Sequence, residues 1–579
     1  MEKGSFDSST VTYLRQADAT LRNGFEDEAI KEVFLDNVFE EIKGSEAKLS
    51  MMKSASFVME QFVSIASLNN ILQVLKAYSI NFEEVSYSQQ GCHVLQNALH
   101  RMLCLMDSGS YKSKDNLWKE VFSVVLDSCV FMTNVSDLAR WMTDTHGTYV
   151  VRSLLEMLGG IITPLRSKKH QPHERKLPDE IIIAKKKLPD EFLSMFEKVF
   201  FTFSQMEKKQ VVEILVHPSG TPCVCVMLHV ASVQSGDTLQ VLCEKIISSC
   251  QGNNFSTLTI LAKDRTGSHV LESLLDSGHS ETCKKIYEIF CSDHSQLIEY
   301  ACHPVVNYVV QKLIVCPALE EKYEELFHLL LQGIEDIFAE NKFGVVQKLA
   351  EQCVKLGKCQ SKFVSRLLEA FQCKEEERKV YLVPLIASFS TYDAFFSASE
   401  NNNKVPNLKN VLYHGSLLLQ TLLKFNNPVA IVKSLTGLPA EHLVKLCCDV
   451  AGSHFIDAFF SSPIVKLKRK RLWLENVKDH LQTICCDKYG SRVMDNLWKK
   501  ATMKMKIIIV ENLVNNESDL SSNQYGKHIT RKFGIKQFGQ RRADWDDFQI
   551  RQTKKRKNFE EVFSSRTEGG KKKQKTKTS

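Results

Sequence analysis

Residues that break helices are scarce in this 579-residue sequence, which contains only 13 prolines and 25 glycines. Proline and glycine are the least favourable residues inside a helix, so their scarcity favours long helical runs. A chain of this length is too long for one compact core, but a repeat architecture can grow because each unit packs only on its neighbours. We therefore expect an all-α repeat protein.

Several motifs that would signal a specific chemistry are also missing. The 18 cysteines form no C-x-x-C pair, and no G-x-x-x-x-G-K-[ST], G-x-G-x-x-G or H-E-x-x-H motif occurs. The first residues contain no apolar signal core, and no run of 18 or more apolar residues exists. These absences predict a soluble intracellular protein with reduced core cysteines, no metal, no cofactor, no membrane association and no enzymatic activity.

Positive charge is concentrated near the C-terminus. The net charge is +7, but residues 551–579 contain eleven Lys/Arg and three Asp/Glu, so the rest of the chain is close to neutral. Low hydrophobicity predicts a basic, mostly disordered tail over residues 539–579, and its Lys/Arg clusters are typical of nuclear or nucleolar targeting. The basic run at 466–471 could be a solvated loop, an RNA-phosphate clamp or an import signal. A basic insertion at about 165–190 is predicted to be a surface loop.

One short pattern recurs eleven times along the chain. It consists of a capping residue, two variable residues, Gly, two variable residues, an apolar pair and a polar residue. The clearest copies lie at 88–96, 144–152, 264–272 and 487–495; further copies centre on Gly220, Gly344, Gly415, Gly452 and Gly526, and two variants have Ala55 or Val306 in place of Gly. Many intervals are 36 to 39 residues, which suits two or three helices per repeat. The longer interval from 344 to 415 leaves open a decayed repeat within 365–410.

Each part of the motif has a structural role. The residue three before Gly is expected to cap a helix N-terminus, since it is Ser, Asp or Asn in Ser88, Asp144, Asp264, Asn341, Asp449, Asp487 and Asn523. Glycine would let the first turn of that helix approach a neighbouring helix or a ligand closely. The apolar pair would point into the core. The two residues after Gly and the residue four beyond the first would then share the opposite face. Stacked repeats would align these three outward positions into a strip.

The residues predicted to line this strip are chemically biased. In eight copies the middle outward position is planar, namely Phe57, His93, Tyr149, His269, Tyr308, His454, Arg492 and His528. Planar groups repeated along a groove suit stacking between splayed bases, and short polar neighbours suit contacts with base edges. The predicted RNA-binding residues are Cys92, His93, Gln96, Thr148, Tyr149, Arg152, Ser268, His269, Glu272, Asn307, Tyr308, Gln311, Ser453, His454, Asp457, Ser491, Arg492, Asp495, Lys527, His528 and Arg531.

Asn307-Tyr308-Val309-Val310-Gln311 and Ser268-His269-Val270-Leu271-Glu272 resemble the base-reading helices of Pumilio-type (PUF) repeats. In that family two residues four apart read a base edge and one residue stacks between bases. The resemblance implies uracil at Asn307/Gln311, guanine at Ser268/Glu272 and adenine at Cys92/Gln96. Four repeats depart from the family pattern: one has Thr221/Pro222/Cys225, one has Val345/Val346/Leu349, and two have Asp457 or Asp495 in place of Glu. These departures predict modest sequence preference.

The resemblance covers roughly residues 45–535 and is closest to an eleven-repeat Pumilio-like branch that acts in small-subunit ribosome assembly. It implies a superhelical, C- or U-shaped solenoid over residues 45–538, preceded by an N-terminal helical cap over residues 1–44. It also implies a monomer in the nucleus and nucleolus. Its partners would be precursor small-subunit ribosomal RNA, in the 18S/ITS1 region, and pre-ribosomal particle proteins. The protein would protect this RNA from premature processing during 18S maturation. The alternative is a nuclear protein-binding scaffold of the HEAT or armadillo kind.

Overall fold

The computed structural model describes residues 8–106, 116–161, 189–251, 256–397, 408 and 410–551. These residues form helices and connecting turns and contain no β-strand, which confirms the all-α repeat fold. The chain divides into two compact bodies, an N-terminal body (Met1–Glu321) and a C-terminal body (Lys322–Ser579). The predicted insertion at 165–190 lies almost wholly outside the described residues, as does the tail beyond residue 551.

The N-terminal body contains helices α1 (Ser8–Asn23), α2 (Glu28–Glu41), α3 (Glu46–Met51), α4 (Ser56–Ile65), α5 (Leu68–Ile80), α6 (Phe82–Tyr87), α7 (Gly91–Leu105), α8 (Asn116–Ser128), α9 (Val135–Thr143), α10 (Gly147–Leu158), α11 (Asp190–Ser204), α12 (Lys208–Val216), α13 (Gly220–Gln234), α14 (Gly236–Ser249), α15 (Ser256–Lys263), α16 (Ser268–Asp276), α17 (Ser280–Cys291), α18 (His294–Cys302) and α19 (Val306–Val315).

The C-terminal body contains helices α20 (Tyr323–Gln332), α21 (Ile334–Ala339), α22 (Phe343–Leu356), α23 (Gln360–Ala370), α24 (Leu382–Ser388), α25 (Tyr392–Ser397), α26 (Tyr413–Leu422), α27 (Val429–Gly437), α28 (Ala440–Cys448), α29 (Gly452–Ser461), α30 (Leu467–Val477), α31 (Leu481–Cys485), α32 (Gly490–Lys500), α33 (Met503–Leu513), α34 (Glu517–Ser522), α35 (Gly526–Phe533) and α36 (Ile535–Gln540). Short 3₁₀ helices lie at Val130–Thr133, Pro317–Lys322, Arg378–Tyr381, Lys478–His480 and Val514–Asn516.

Each of the eleven motif copies forms one helix of a repeat, and these helices pack directly on one another within each body. We call this series of helices the inner row. In the N-terminal body this inner row follows the order α4, α7, α10, α13, α16 and α19. In the C-terminal body it follows the order α22, α26, α29, α32 and α35. Other helices pack behind the inner row, as α14 does against α17 and α27 against α30. The apolar pair of each copy faces this interior; Val309 and Val310, for example, are fully buried.

The capping prediction is confirmed in most repeats. The Asp487 carboxylate accepts hydrogen bonds from the backbone N–H groups of Tyr489 (2.7 Å) and Gly490 (2.8 Å). Equivalent bonds to the motif glycine are made by Ser88, Asp144, Asp264, Asp449 and Asn523. In the Val306 repeat, which lacks an Asp, the ring nitrogen Nδ1 of His303 accepts from Val305 and Val306 instead. Capping by a histidine ring was not predicted from the sequence.

The motif glycine packs against the preceding helix of its own repeat. A Cβ atom on Gly490 would lie 2.3 Å from the carbonyl oxygen of Ile484, and one on Gly452 would lie 2.5 Å from that of Leu446. Real Cβ atoms do not approach a carbonyl oxygen this closely, so a side chain at either of these two positions would force the turn to shift. The neighbour that glycine accommodates is therefore a helix.

The repeat at Gly344 has a different register from the one predicted. Asn341 does not cap α22, whose N-cap residue is Lys342; it adopts a left-handed conformation (φ 57°) in the turn between α21 and α22. Val345, Val346 and Leu349 are fully buried and match the core positions of α19 rather than its outward ones. Aligned on this buried pair, the outward positions become Phe343, Gly344 and Gln347. They lack a planar group in the middle position.

The long interval before Gly415 contains an insertion rather than a decayed repeat. A Cβ atom on Gly415 would lie 2.4 Å from the carbonyl oxygen of Ile386 in α24. Helix α24 therefore corresponds to α28 of the following repeat, because each packs against the motif glycine that comes after it. The chain leaves this repeat at Phe389, which has a left-handed backbone (φ 47°), and returns where the Leu412 N–H donates to the Ala387 carbonyl (2.8 Å).

The packed structure continues beyond the predicted boundary at residue 538. Residues 542–551 are helical, and the Trp545 side chain in this segment is fully buried. Its indole N–H donates to the carbonyl of Phe533 at 2.7 Å. The basic run at 466–471 is likewise not a loop, since most of it lies in the first turns of α30.

Among the described residues, no single helix is long and apolar enough to cross a membrane. The helices Lys208–Val216 and Gly220–Gln234 are apolar enough only when taken together, and they are bent by 103°.

Candidate nucleic-acid interface

The middle outward position of the motif lies on the exposed face of the inner row. Phe57 is 50% exposed and Tyr308 is 55% exposed, and the side chain of His269 is 65% exposed. The other exposed members are His454, Arg492 and His528. Because consecutive inner helices are in contact within each body, these planar groups line one face of each body. This arrangement is the one that the sequence predicts for the middle position.

The first outward position differs from the prediction because it is buried in eight repeats. Ser56, Cys92, Thr148, Thr221, Ser268, Asn307, Ser416 and Ser453 are each at most 7% exposed. Some of them join consecutive repeats. The Thr148 hydroxyl donates to the carbonyl of Ser219 (2.7 Å), and the Ser416 hydroxyl donates to that of Ala451 (2.6 Å). Toward the C-terminus the position opens, since Ser491 is half-buried and Lys527 is exposed.

The repeats at Gly91 and Gly147 hold their predicted side chains against each other. The His93 and Tyr149 ring centroids are 5.0 Å apart, less than the roughly 7 Å that two van der Waals contacts around an inserted base require. The Arg152 guanidinium lies 4.5 Å from the Tyr149 ring centroid, and the Gln96 amide donates to the Tyr149 carbonyl (3.3 Å). In this conformation, these groups leave no gap for a base.

Cys92 also departs from its predicted role. Its side chain is fully buried, and burial raises the pKa of the thiol to about 12. It is therefore a neutral core residue, and it does not present an edge-reading group beside Gln96.

The repeats at Gly267 and Val306 keep their polar side chains organised near the surface. The Gln311 amide donates to the Asn307 side-chain oxygen at 3.0 Å, so each orients the other. The His269 ring nitrogen lies 3.1 Å from one carboxylate oxygen of Glu272. Burial raises the pKa of Glu272 although His269 and Lys312 act against it. Gln311 and Glu272 therefore provide edge groups next to the exposed rings of Tyr308 and His269. Asn307 is buried, and its amide donates to the carbonyls of His303 and Pro304.

The preceding repeat, at Gly220, offers no comparable set. Thr221 is buried, and its hydroxyl donates to the Leu215 carbonyl at 2.6 Å. The Cys225 thiol contacts the carbonyl of His269 at 3.6 Å. This arrangement agrees with the poor edge-reading residues that the sequence shows at Thr221, Pro222 and Cys225.

In the C-terminal body the predicted residues of the last two repeats come together in a groove between α32 and α35. Its volume is about 580 Å³ and its walls include Ser491, Arg492, Asp495 and His528. Lys527 and Arg531, on α35, are exposed. Three further wall residues, Asn496, Tyr525 and Lys532, were missed by the sequence analysis. Lys532 could have been found, because it lies one helical turn beyond His528 on the same face.

The segment that contains this groove carries a strongly positive net charge. Residues 466–551 contain nineteen Lys/Arg and ten Asp/Glu. A surface of this sign attracts polyanions such as nucleic acid. The excess positive charge was predicted in the tail alone, because the net charge of the tail was compared with that of the whole remaining chain.

Comparisons with known proteins agree with this architecture. A family model described as NOP9-like PUF repeat domain matches residues 44–528. Nucleolar protein 9 of Homo sapiens is 28% identical, with 95% of this chain and 90% of the relative covered. Nucleolar protein 9 of Pyrenophora tritici-repentis is 23% identical, with 94% of this chain and 80% of the relative covered. The solved structure named "Structure of APUM23-GGAAUUGACGG" superposes with a TM-score of 0.72 at 18% identity, covering 94% of this chain and 99% of that one. The fold is thus shared with that protein.

Proposed function

Because the chain belongs to the family of NOP9-like PUF repeat domains, we propose that it is a non-catalytic RNA-binding protein of small ribosomal subunit biogenesis. It holds precursor ribosomal RNA of the 18S/ITS1 region along the inner row of helices and protects that segment from premature processing. The relatives named Nucleolar protein 9 support a nucleolar location. The APUM23 structure is named with a uracil-containing sequence, which supports RNA as the ligand class.

One observation carries the proposal: planar side chains stand exposed at one fixed position on consecutive inner helices. Tyr308 shows the arrangement best, since it is 55% exposed beside the oriented Asn307–Gln311 pair. A base can stack on the ring while its edge meets the Gln311 amide, which Asn307 orients. A protein-binding scaffold has no need for planar groups at one fixed position.

We expect Tyr308→Ala to weaken binding of single-stranded RNA by about 1–3 kcal/mol, the usual contribution of one base–aromatic stack. Stability should change little, because the side chain faces solvent. The measurement is a gel shift of the full chain with uracil- and guanine-containing RNA at two salt concentrations, with circular dichroism to check folding.

Phe201→Ala is the matched control, because Phe201 is an equally exposed aromatic residue (65%) on α11, outside the inner row. It should bind RNA as the wild type does. Unchanged affinity in Tyr308→Ala would contradict the stacking role. Absence of RNA binding by the wild type at low salt would favour the scaffold function instead.

A further inference from the structure

Two aspartates at equivalent motif positions have opposite surroundings. Asp457 accepts a hydrogen bond from the Asn496 side-chain amide at 2.8 Å, and its other oxygen is buried with no hydrogen-bond partner among the described residues. Asp495 instead forms ion pairs with Lys499 (3.1 Å) and with Lys532 of the next repeat. Burial raises the pKa of Asp457. At Asp495 burial acts in the same direction, but Lys532 and Lys499 outweigh it and lower the pKa.

The surroundings decide what each carboxylate can contact. A carboxylate that reads a base edge must offer free acceptor oxygens to the N–H groups of the base. Both oxygens of Asp495 are engaged by lysine ammonium groups, so this residue has little acceptor capacity left. Lys532, by contrast, has donors left for a further ligand, because its ammonium has three N–H bonds and only its pairing with Asp495 is used here.

The groove beside Asp495 is lined by donors. Arg492 and His528 are exposed on its walls, and Lys532 is 48% exposed at its side. A guanidinium and an ammonium are the groups that bind phosphate oxygens best, the first often through two parallel hydrogen bonds. Asp495 fixes the position of Lys532 at the boundary between two repeats.

We propose that the groove between α32 and α35 binds the phosphate backbone of RNA independently of sequence, with Asp495 as a positioning residue for Lys532. This inference rests on the proposed RNA-binding function and deepens it. The family code suggests that Asp495 reads guanine. In this proposal the groups around Asp495 contact phosphate instead. Base reading is then left to repeats whose edge groups lie near the surface, such as Gln311 and Glu272.

The test is the salt dependence of RNA affinity for the full chain, measured by fluorescence anisotropy with labelled single-stranded oligonucleotides. Each phosphate contact to a single strand contributes about −0.7 to the slope of log K against log salt. We expect Lys532→Gln to make the slope shallower by about 0.7. It should also lower the affinities for guanine-rich and uracil-rich RNAs by the same factor. Lys536→Gln is the control, because Lys536 pairs with Glu517 (3.4 Å) and does not line the groove. Its slope should equal that of the wild type.

A second pair of variants separates base reading from positioning. Asp495→Asn should leave the ratio of guanine to uracil affinities unchanged, whereas Glu272→Gln, in the repeat that the resemblance assigns to guanine, should alter it. The inference is overturned if Asp495→Asn abolishes a guanine preference, or if Lys532→Gln leaves the slope unchanged while the wild type binds RNA. Failure of the wild type to bind any RNA would remove the proposed function itself, which is a distinguishable result.

Discussion

At the scale of single residues, the motif predicts which side chain stands outward but not what it contacts. Tyr308 and Arg492 are exposed as their positions require. Thr148 and Gln96 are instead hydrogen-bonded to the neighbouring repeat. A single sequence cannot reveal this, because the donor and acceptor lie 53 to 71 residues apart and the distance between repeats is set by packing elsewhere. The planar positions were therefore easier to predict than the edge positions.

The difference between the two aspartates predicts opposite effects on stability. Asp457→Asn keeps the acceptor for Asn496 and removes a half-buried charge. It should therefore raise the free energy of unfolding at pH 7, measured by urea denaturation, by a few tenths to about 1 kcal/mol. Because the folded pKa of Asp457 is raised, the wild type regains this stability as pH falls through that pKa. The advantage of the variant should shrink accordingly between pH 7 and pH 4.

Asp495→Asn serves as the opposite case in the same experiment. Its carboxylate has a lowered pKa, so its contribution is present at neutral pH and disappears only below the ordinary Asp value of about 4. The variant should be less stable at pH 7. Equal effects of the two substitutions at pH 7 would contradict the environments described for both residues.

At the scale of helices and turns, the capping residue and the glycine were predictable because both act within a few residues of each other. The register at Gly344 was not, since that glycine is the second residue of α22 and occupies the middle outward position rather than the position of the motif glycine. The buried pair Val345-Val346 followed by Gln347 matches Val309-Val310-Gln311 and would have given the correct alignment. The insertion after α24 was also hidden, because an interval alone cannot distinguish extra residues from a lost repeat.

The close approach of the motif glycine gives a prediction at this scale. Gly490→Ala would force a Cβ atom against the Ile484 carbonyl, 2.3 Å away, and should lower the free energy of unfolding by about 1–3 kcal/mol, as overpacking does. Gly437→Ala is the control: it ends α27, and a Cβ atom there meets Val380 at an ordinary 3.5 Å. Denaturant unfolding followed by circular dichroism measures both. Equal midpoints for the two variants would show that this contact does not constrain the turn.

At the scale of the whole molecule, charge is divided between segments rather than spread evenly. Residues 466–551 hold an excess of nine positive charges, and residues 552–579 add more, so the chain before residue 466 is net negative. RNA should therefore meet the C-terminal repeats first, through long-range attraction that salt weakens. Averaging over the whole chain conceals this division.

The same division bears on which basic segment directs nuclear import. The run at 466–471 is largely helical, and Lys470 donates to the carbonyls of Phe460 (2.7 Å) and Ser462 (2.8 Å). A receptor that reads a short linear segment would have to unwind the start of α30 and break these bonds. Residues 552–579 lie outside the described residues, and they contain two further lysine-rich clusters.

We therefore expect deletion of residues 552–579 to abolish nuclear accumulation of a fluorescent fusion in cells. Replacing Lys468, Arg469 and Arg471 together by Gln should leave accumulation intact, because Lys470 and the fold of α30 are retained. Quantitative imaging of the nuclear-to-cytoplasmic ratio compares the two variants with the wild type. Accumulation that survives the deletion but fails in the triple substitution would place the signal in α30 and show that this helix opens when the receptor binds.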